Sequence, residues 1–182
     1  MKRSAQLIVL LTAVGGCNVG GTGLLPTDAD VAASASSTPA QASTGSACSI
    51  PKTEAELSEE ILRLVNIERF DIGAVEPEPK LAAVASEYAC TMVDGRFFGH
   101  LEPKTNEGVV QRVERAGYPY VAVGENLAAG YWNPYEIVEA WMASEPHREI
   151  IMDPGFSAAG VSVRYGGEFG VYCVLILARS TE

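Results

Sequence analysis

The last quarter of the chain contains a strand pair that constrains how the rest can fold. Residues 161–165 and 168–178 flank Gly166-Gly167, a pattern typical of a β-hairpin with a tight turn. Every residue of 171–177 is apolar, whereas a strand with one face in water alternates apolar and polar residues. The pattern therefore predicts a central strand that is covered on both faces by other parts of the chain.

Helical spacing of apolar residues dominates the segment before this hairpin. A capping-box pattern, Thr53-x-x-Glu56, predicts the start of the first helix, and Asn133 followed by Pro134 predicts the start of the last. The predicted helices cover about 53–71, 79–95, 106–116 and a segment from 134 that includes Ser144. Helices followed by an antiparallel hairpin indicate an α+β fold with the sheet between helical layers.

The N-terminus has the organisation of an export signal. Lys2 and Arg3 precede a ten-residue apolar stretch, which is too short to span a membrane but long enough for a signal peptide. The following Val14-Gly15-Gly16-Cys17 resembles a bacterial lipobox, so we expect lipidation at Cys17; an ordinary signal peptide is the alternative. An aspartate after the lipidated cysteine retains lipoproteins at the inner membrane of enteric bacteria, and this chain has Asn18 there. In a bacterium with two membranes we therefore expect the outer membrane as the location.

Composition divides the remaining chain into two parts. Residues 18–47 are rich in Gly, Ser, Thr, Ala and Pro and have no hydrophobic period, which predicts a disordered tether. Residues 48–182 form the predicted folded domain, after a lipoprotein signal at 1–17. The whole chain has 13 Lys and Arg against 23 Asp and Glu, a net charge of −10, which argues against a nucleic-acid partner.

The four cysteines favour one disulfide. Export to an oxidising compartment favours disulfides over free thiols. With Cys17 lipidated, Cys90 faces outward from the apolar stripe of its helix, and Cys173 lies inside the apolar strand. This reasoning favours a Cys48–Cys90 bond and leaves the other pairings open.

Several short motifs occur in a characteristic order between residues 55 and 180. They include 64–69 (Leu-Val-Asn-Ile-Glu-Arg), Gly99-His100, the step from Arg112 to Gly117-Tyr118, Gly124-Glu125-Asn126, Trp141-Met142-x-Ser144-x-x-His147-Arg148, 151–156 (Ile-Met-Asp-Pro-x-Phe) and Ala159-Gly160-Val161. In this order they resemble the bacterial branch of the CAP superfamily, which contains cysteine-rich secretory proteins, antigen 5 and pathogenesis-related 1 proteins. The resemblance implies a three-layer α-β-α sandwich, here ending in an antiparallel β-hairpin.

The resemblance also implies a cleft with two histidines and two acidic residues that can bind a divalent ion. His100, Glu125 and His147 match three of these positions, and Ser144 stands where the second acid would be. Ile150 and Leu175 replace the polar residues usual in bacterial relatives, so a less polar cleft is expected. Two imidazoles and one carboxylate are a ligand set for Zn²⁺ with an open position. A structural hydrogen-bond network around the same histidines is the alternative.

Aromatic residues are concentrated around the Gly-Glu-Asn motif. We expect them to lie in loops and to form, with Asn126, a contact surface for a ligand or partner, because aromatic side chains offer large contact area. The residues of this predicted surface are Tyr118, Tyr120, Asn126, Tyr131 and Trp132, with Tyr135 nearby.

Together these patterns predict an exported, lipid-anchored and non-catalytic binding module. The resemblance implies a small apolar ligand or a protein partner, and membrane contact is expected through the lipid alone. The first alternative is a metal-assisted hydrolase of peptide or envelope polymer, with Glu125 as ligand or general base. The second is a structural scaffold of the envelope.

Overall fold

The structure is a computed structural model that describes residues 46–181. Its elements in chain order are α1 (Glu54–Glu68), β1 (Glu76–Pro77), α2 (Pro79–Gly95), α3 (Val109–Arg115), β2 (Tyr120–Ala129), α4 (Pro134–Ala143), α5 (Glu145–Ile151), β3 (Ala158–Gly166) and β4 (Gly170–Ser180). The four strands form one sheet in the order β1-β3-β4-β2. Strand β4 is antiparallel to both neighbours, and β1 runs parallel to β3.

The prediction that the C-terminal strand is central and covered on both faces is confirmed. Alternate side chains of β4 enter two separate apolar cores. One core lies against α1, α4 and α5, and the other lies against α2 and α3. The predicted α+β class and α-β-α sandwich are therefore confirmed.

The helix α2 follows its sequence signals closely. Pro79 occupies the first turn, and the whole predicted stripe of Leu81, Val84, Ala85, Tyr88, Ala89 and Met92 is buried. The start of α4 is also confirmed, because the Asn133 side chain accepts a hydrogen bond from the backbone N–H of Tyr135.

The predicted capping box of α1 is wrong. Thr53 makes no side-chain cap bond, and the helix ends at Glu68, before the predicted Asp71. Gly73, with φ +101°, completes the turn by donating its N–H to the carbonyl of Arg69. The third helix is shorter than predicted and begins after Gly108.

Three elements were not predicted. The short strand β1 pairs with β3. Strand β2 occupies much of the segment that was expected to be loop, and the helical run from Pro134 ends at Ala143, after which α5 begins. Pro146 explains the break, because proline lacks the N–H that would continue α4 but fits the first turn of a new helix.

The Cys48–Cys90 disulfide is present, and Cys173 is free and buried, as the cysteine positions favoured. Ser46 and Ala47, just before the predicted boundary at residue 48, bond to Asp94. The predicted signal peptide, Cys17 and the tether up to residue 45 lie outside the described residues. Between residues 46 and 181, no helix is both long enough and apolar enough to cross a membrane.

Candidate functional site

The Gly-Glu-Asn motif lies in the middle of β2, which is an edge strand of the sheet. Successive side chains of a strand point to opposite faces. Glu125 therefore lies on the α2/α3 face, whereas Gly124 and Asn126 lie on the α4/α5 face. The motif connects both helical layers at the free edge of the sheet.

Glu125 is buried, with 4% of its surface exposed, and both carboxylate oxygens have partners. The guanidinium of Arg112 donates to Oε2 at 2.5 Å. The Nδ1 atom of His100 lies 2.9 Å from Oε1. Because a carboxylate can only accept a hydrogen bond, Nδ1 carries the imidazole proton and Nε2 is left unprotonated in the neutral ring.

Arg112 connects this carboxylate to the loop between α2 and α3. Its Nη1 donates to the backbone carbonyls of Glu107, at 3.1 Å, and of His100, at 3.3 Å. Its guanidinium carbon lies 3.3 Å from the centre of the Tyr88 ring, and the Tyr88 hydroxyl donates to the Gly99 carbonyl. Burial raises the pKa of Tyr88, so the hydroxyl keeps its proton. The loop carrying His100 is thus held at several points.

His147 reaches the same edge from the opposite layer. Its Nδ1 lies 2.8 Å from the Ser144 hydroxyl, and its backbone carbonyl accepts a bond of 3.0 Å from the Asn126 side chain. Burial lowers the pKa of His147, and the neighbouring His100 ring lowers it further when that ring is protonated. Both effects favour the neutral form of His147.

Gly124 allows α5 to approach β2 this closely. A Cβ atom at residue 124 would lie 2.8 Å from a side-chain carbon of Ile150 and 3.2 Å from the ring of Phe156. Each residue of the motif thus has its own role: Gly124 admits α5, Glu125 orients His100, and Asn126 holds the backbone of His147. The Asn126 Oδ1 atom has no hydrogen-bond partner among the described residues, and its neighbour on β4 is the apolar Leu175.

The surface between His100 and His147 is here called the His cleft. Within residues 46–181, neither Nε2 atom has a protein hydrogen-bond partner, and neither is among the buried polar atoms that lack one. Both Nε2 atoms therefore reach solvent. The cleft presents two imidazoles that are each oriented through Nδ1 and available through Nε2.

The predicted three-ligand metal site is not assembled. Among the described residues, no three His, Cys, Asp or Glu side chains are grouped so that they could hold one cation. The reason is that Arg112 and His100 occupy both oxygens of Glu125. Glu125 is placed to orient His100 rather than to contact a metal ion itself. The residues present do not fit a centre in which Glu125 is a ligand.

The predicted aromatic surface is divided by β2. Tyr118 and Tyr120 are packed into the α2/α3 core, and the Tyr120 hydroxyl donates to Glu114 at 2.8 Å. Tyr131 and Trp132 are exposed beyond the other end of the strand. A strand of this length separates the two pairs by about 30 Å, so they do not form one contact surface with the buried Asn126.

Arg112 and Ser144 were not recognised as site residues from the sequence. The signal for Arg112 was available, since it shares one face of α3 with the buried Val109 and Val113. An arginine between two buried valines needs a buried acceptor. Ser144 was noted only as a missing carboxylate, although its hydroxyl orients His147.

The fold and motifs agree with comparisons to known proteins. The profile of the CAP family, described as the cysteine-rich secretory protein family, matches residues 70–177. The Bacillus subtilis (strain 168) protein YkwD is 33% identical over 130 residues, which are 70% of this chain and 50% of the relative. The B. subtilis membrane protein YlbC is 28% identical, over 62% of this chain and 33% of the relative. This chain therefore spans half or less of these relatives.

Solved structures of other bacterial proteins have a similar fold. An extracellular protein with an SCP domain from Bacillus anthracis aligns with a TM-score of 0.61 and 25% identity, covering 70% of this chain and 41% of that one. An outer surface protein of Borrelia burgdorferi aligns with a TM-score of 0.60 and 21% identity, covering 70% of this chain and 92% of that one. With a family profile that spans more than half of the sequence and a fold that agrees, the chain belongs to the bacterial branch of the cysteine-rich secretory protein family, CAP.

Proposed function

We propose that this protein is an exported, lipid-anchored binding module whose His cleft recognises a ligand without breaking a bond in it. The ligand contacts the Nε2 atoms of His100 and His147. One observation carries the proposal: two imidazoles from opposite helical layers are each fixed through Nδ1 and left open to solvent through Nε2.

The two imidazoles present different surfaces to a ligand. In the neutral His100 ring, the bond to Glu125 directs a nitrogen lone pair outward. Burial favours the neutral form of His147, whose Ser144 partner can donate or accept, so its Nε2 can take either role. A borderline divalent cation such as Zn²⁺ and a hydrogen-bond donor on a partner molecule both bind a nitrogen lone pair. Two protein ligands leave the remaining coordination positions of a cation to water or to the partner.

Binding is favoured over hydrolysis by the state of Glu125. A general base must contact the water that it activates, whereas the Glu125 carboxylate is buried with Arg112 on one oxygen and His100 on the other. The residue at the second acidic position is Ser144, whose hydroxyl is bonded to His147. Among His100, Glu125, Ser144 and His147, no carboxylate is therefore open to water.

Export is supported by the sequence and by relatives, and anchoring is supported by the sequence. The charged start, short apolar stretch and lipobox-like ending at Cys17 are the features of a lipoprotein signal. Matched structures include an extracellular protein and an outer surface protein. A disulfide within the domain is in keeping with an oxidising compartment.

Calorimetric titration of Zn²⁺ into the detergent-solubilised full chain tests the cleft. We expect binding by the parent protein and its loss in His100→Ala and in His147→Ala, since these are the only histidines in the sequence. Glu149→Gln removes an exposed carboxylate two residues from His147 and should leave binding unchanged. Equal binding by the parent and both histidine variants would refute the proposed role of the cleft.

A further inference from the structure

Four exposed aromatic residues are concentrated at the end of the domain that carries the β3–β4 turn. We call Tyr131, Trp132, Tyr135 and Phe169 the hairpin-end patch. Trp132 is 63% exposed and Tyr135 is 61% exposed, values unusual for such large side chains. Exposed apolar residues that occur singly need no explanation, but a cluster marks a contact surface.

Two rings of the patch, those of Trp132 and Phe169, pack against other residues of the domain. The Trp132 ring lies 5.3 Å from the ring of Tyr165, centre to centre, and 3.2 Å from where a Cβ would stand on Gly170. Phe169 lies 5.8 Å from the rings of Phe98 and Tyr172. These contacts hold the exposed rings outward without burying them.

The chain enters the domain at this same end. Ser49 and Tyr165 exchange two backbone hydrogen bonds, of 2.8 and 2.9 Å, and Tyr165 is the residue on which Trp132 packs. The exposed Ile50 follows directly. Residues 18–45 connect this entry point to Cys17. A chain anchored at Cys17 therefore joins the domain beside the patch.

The two segments that carry the patch favour an uncharged partner surface over an anionic one. Segments 130–135 and 165–172 contain no Lys or Arg, and Glu168 lies in the turn itself, although Lys52 follows Ile50 and Arg96 precedes Phe98. Attraction to anionic lipid requires clustered basic residues. Tyr and Trp rings instead favour the boundary between headgroups and acyl chains, where one end of the side chain is apolar and the other is wet.

We propose that the hairpin-end patch is a membrane-contact surface, which seats this end of the domain on the lipid–water interface of the bilayer that anchors the chain. The bilayer is named as the occupant because the anchored segment enters beside the patch. The inference rests on the proposed anchoring at Cys17. With this contact, the bilayer would orient the domain in addition to retaining it through the lipid at Cys17.

Tryptophan fluorescence can test the contact directly. The sequence has two tryptophans, and Trp141 is 2% exposed with its indole N–H bonded to the Leu127 carbonyl, so Trp132 is the one that a lipid can reach. The full chain, expressed with its own N-terminus, is reconstituted in phosphatidylcholine vesicles with brominated or ordinary acyl chains. We expect lower Trp132 emission in the brominated vesicles.

Variants inside and outside the patch show whether the quenching depends on the patch or on random contact with the vesicle. Replacing two patch residues together, Tyr135→Ser and Phe169→Ser, should abolish the quenching. Phe70→Ser removes an 85% exposed ring just after α1, on the far side of the domain from the hairpin turn, and should leave the quenching intact. An equal loss of quenching in the Phe70 variant would overturn the proposal.

Mass spectrometry of Cys17 on the same sample distinguishes this inference from the anchoring it rests on. Acylated protein that sediments with the vesicles but shows equal emission in both lipids overturns the patch and leaves the anchor. Quenching with an unmodified Cys17 supports the patch and overturns the anchor.

Discussion

The two helical layers each bury an arginine against the sheet, and the two arginines are held differently. Arg69 has 1% of its surface exposed, and its guanidinium donates only to backbone carbonyls, those of Gly73, Ile151, Asp153 and Phe156. Arg112 has 3% exposed and pairs with the carboxylate of Glu125, beneath His100.

The difference distinguishes an arginine that only stabilises the fold from one that also supports the candidate site. Arg69 bonds the turn after α1 to the end of α5 and the segment that follows it, through backbone carbonyls alone. Burial lowers the pKa of Arg69. Arg112 holds a carboxylate that in turn orients an imidazole open to solvent. Both arginines stabilise the fold, but only the second one should affect the His cleft.

The largest effect is expected from Arg69→Met. It removes a donor from four carbonyls, of which only that of Asp153 keeps another within residues 46–181, the N–H of Phe156. Each orphaned buried acceptor costs about 1–3 kcal/mol. We expect unfolding in urea to show a loss of about 4 kcal/mol or more, with Zn²⁺ affinity of the remaining folded protein unchanged. A loss below about 1 kcal/mol, or a weakened cleft, would break the proposed separation.

Glu125→Gln should cost about 3 kcal/mol, because it leaves the charge of Arg112 buried without its partner. Unlike the Arg69 variant, it should also weaken Zn²⁺ binding by about 10- to 100-fold, since partners of metal-binding histidines have effects of this size. Adding Arg112→Met should cost less than the sum of the two single variants. Additive costs would contradict a coupled pair.

The sequence predicted the secondary-structure elements that depend on a local pattern of apolar residues. Helix α2 and the hairpin were readable because their apolar periods are unbroken. Strand β2 was not, because Gly124, Glu125 and Asn126 interrupt it with small and polar residues. Their partners lie 13 to 25 residues away in sequence, and no local pattern reports such contacts.

The sequence named residues of the candidate site but not their arrangement. In the structure His100 bonds to Glu125, whereas His147 bonds to Ser144 in the other helical layer. The family resemblance did not reveal that Arg112 donates to one oxygen of Glu125. That contact joins α3 to β2, and no local sequence pattern reports it.

The smallest effect concerns pH. The folded state holds the pKa of His147 below its ordinary value of 6.5, mainly through burial. Its unfolded form therefore binds a proton more readily, so this contribution to stability is full above about pH 6.5 and is lost as the pH falls through the folded pKa. Urea unfolding between pH 5 and 8 should show a steeper acid loss for the parent than for His147→Gln. Parallel curves would contradict the burial argument.

In the proposed site, Glu125 orients His100 and both Nε2 atoms are left for the ligand. Long-range ¹H–¹⁵N NMR of the two imidazoles, recorded on the full chain with and without Zn²⁺, tests this arrangement without interference because no other histidine contributes signals. We expect a His100 ring protonated on Nδ1 and zinc-induced shifts at both Nε2 atoms. A His100 ring protonated on Nε2, or zinc shifts at neither ring, would contradict it.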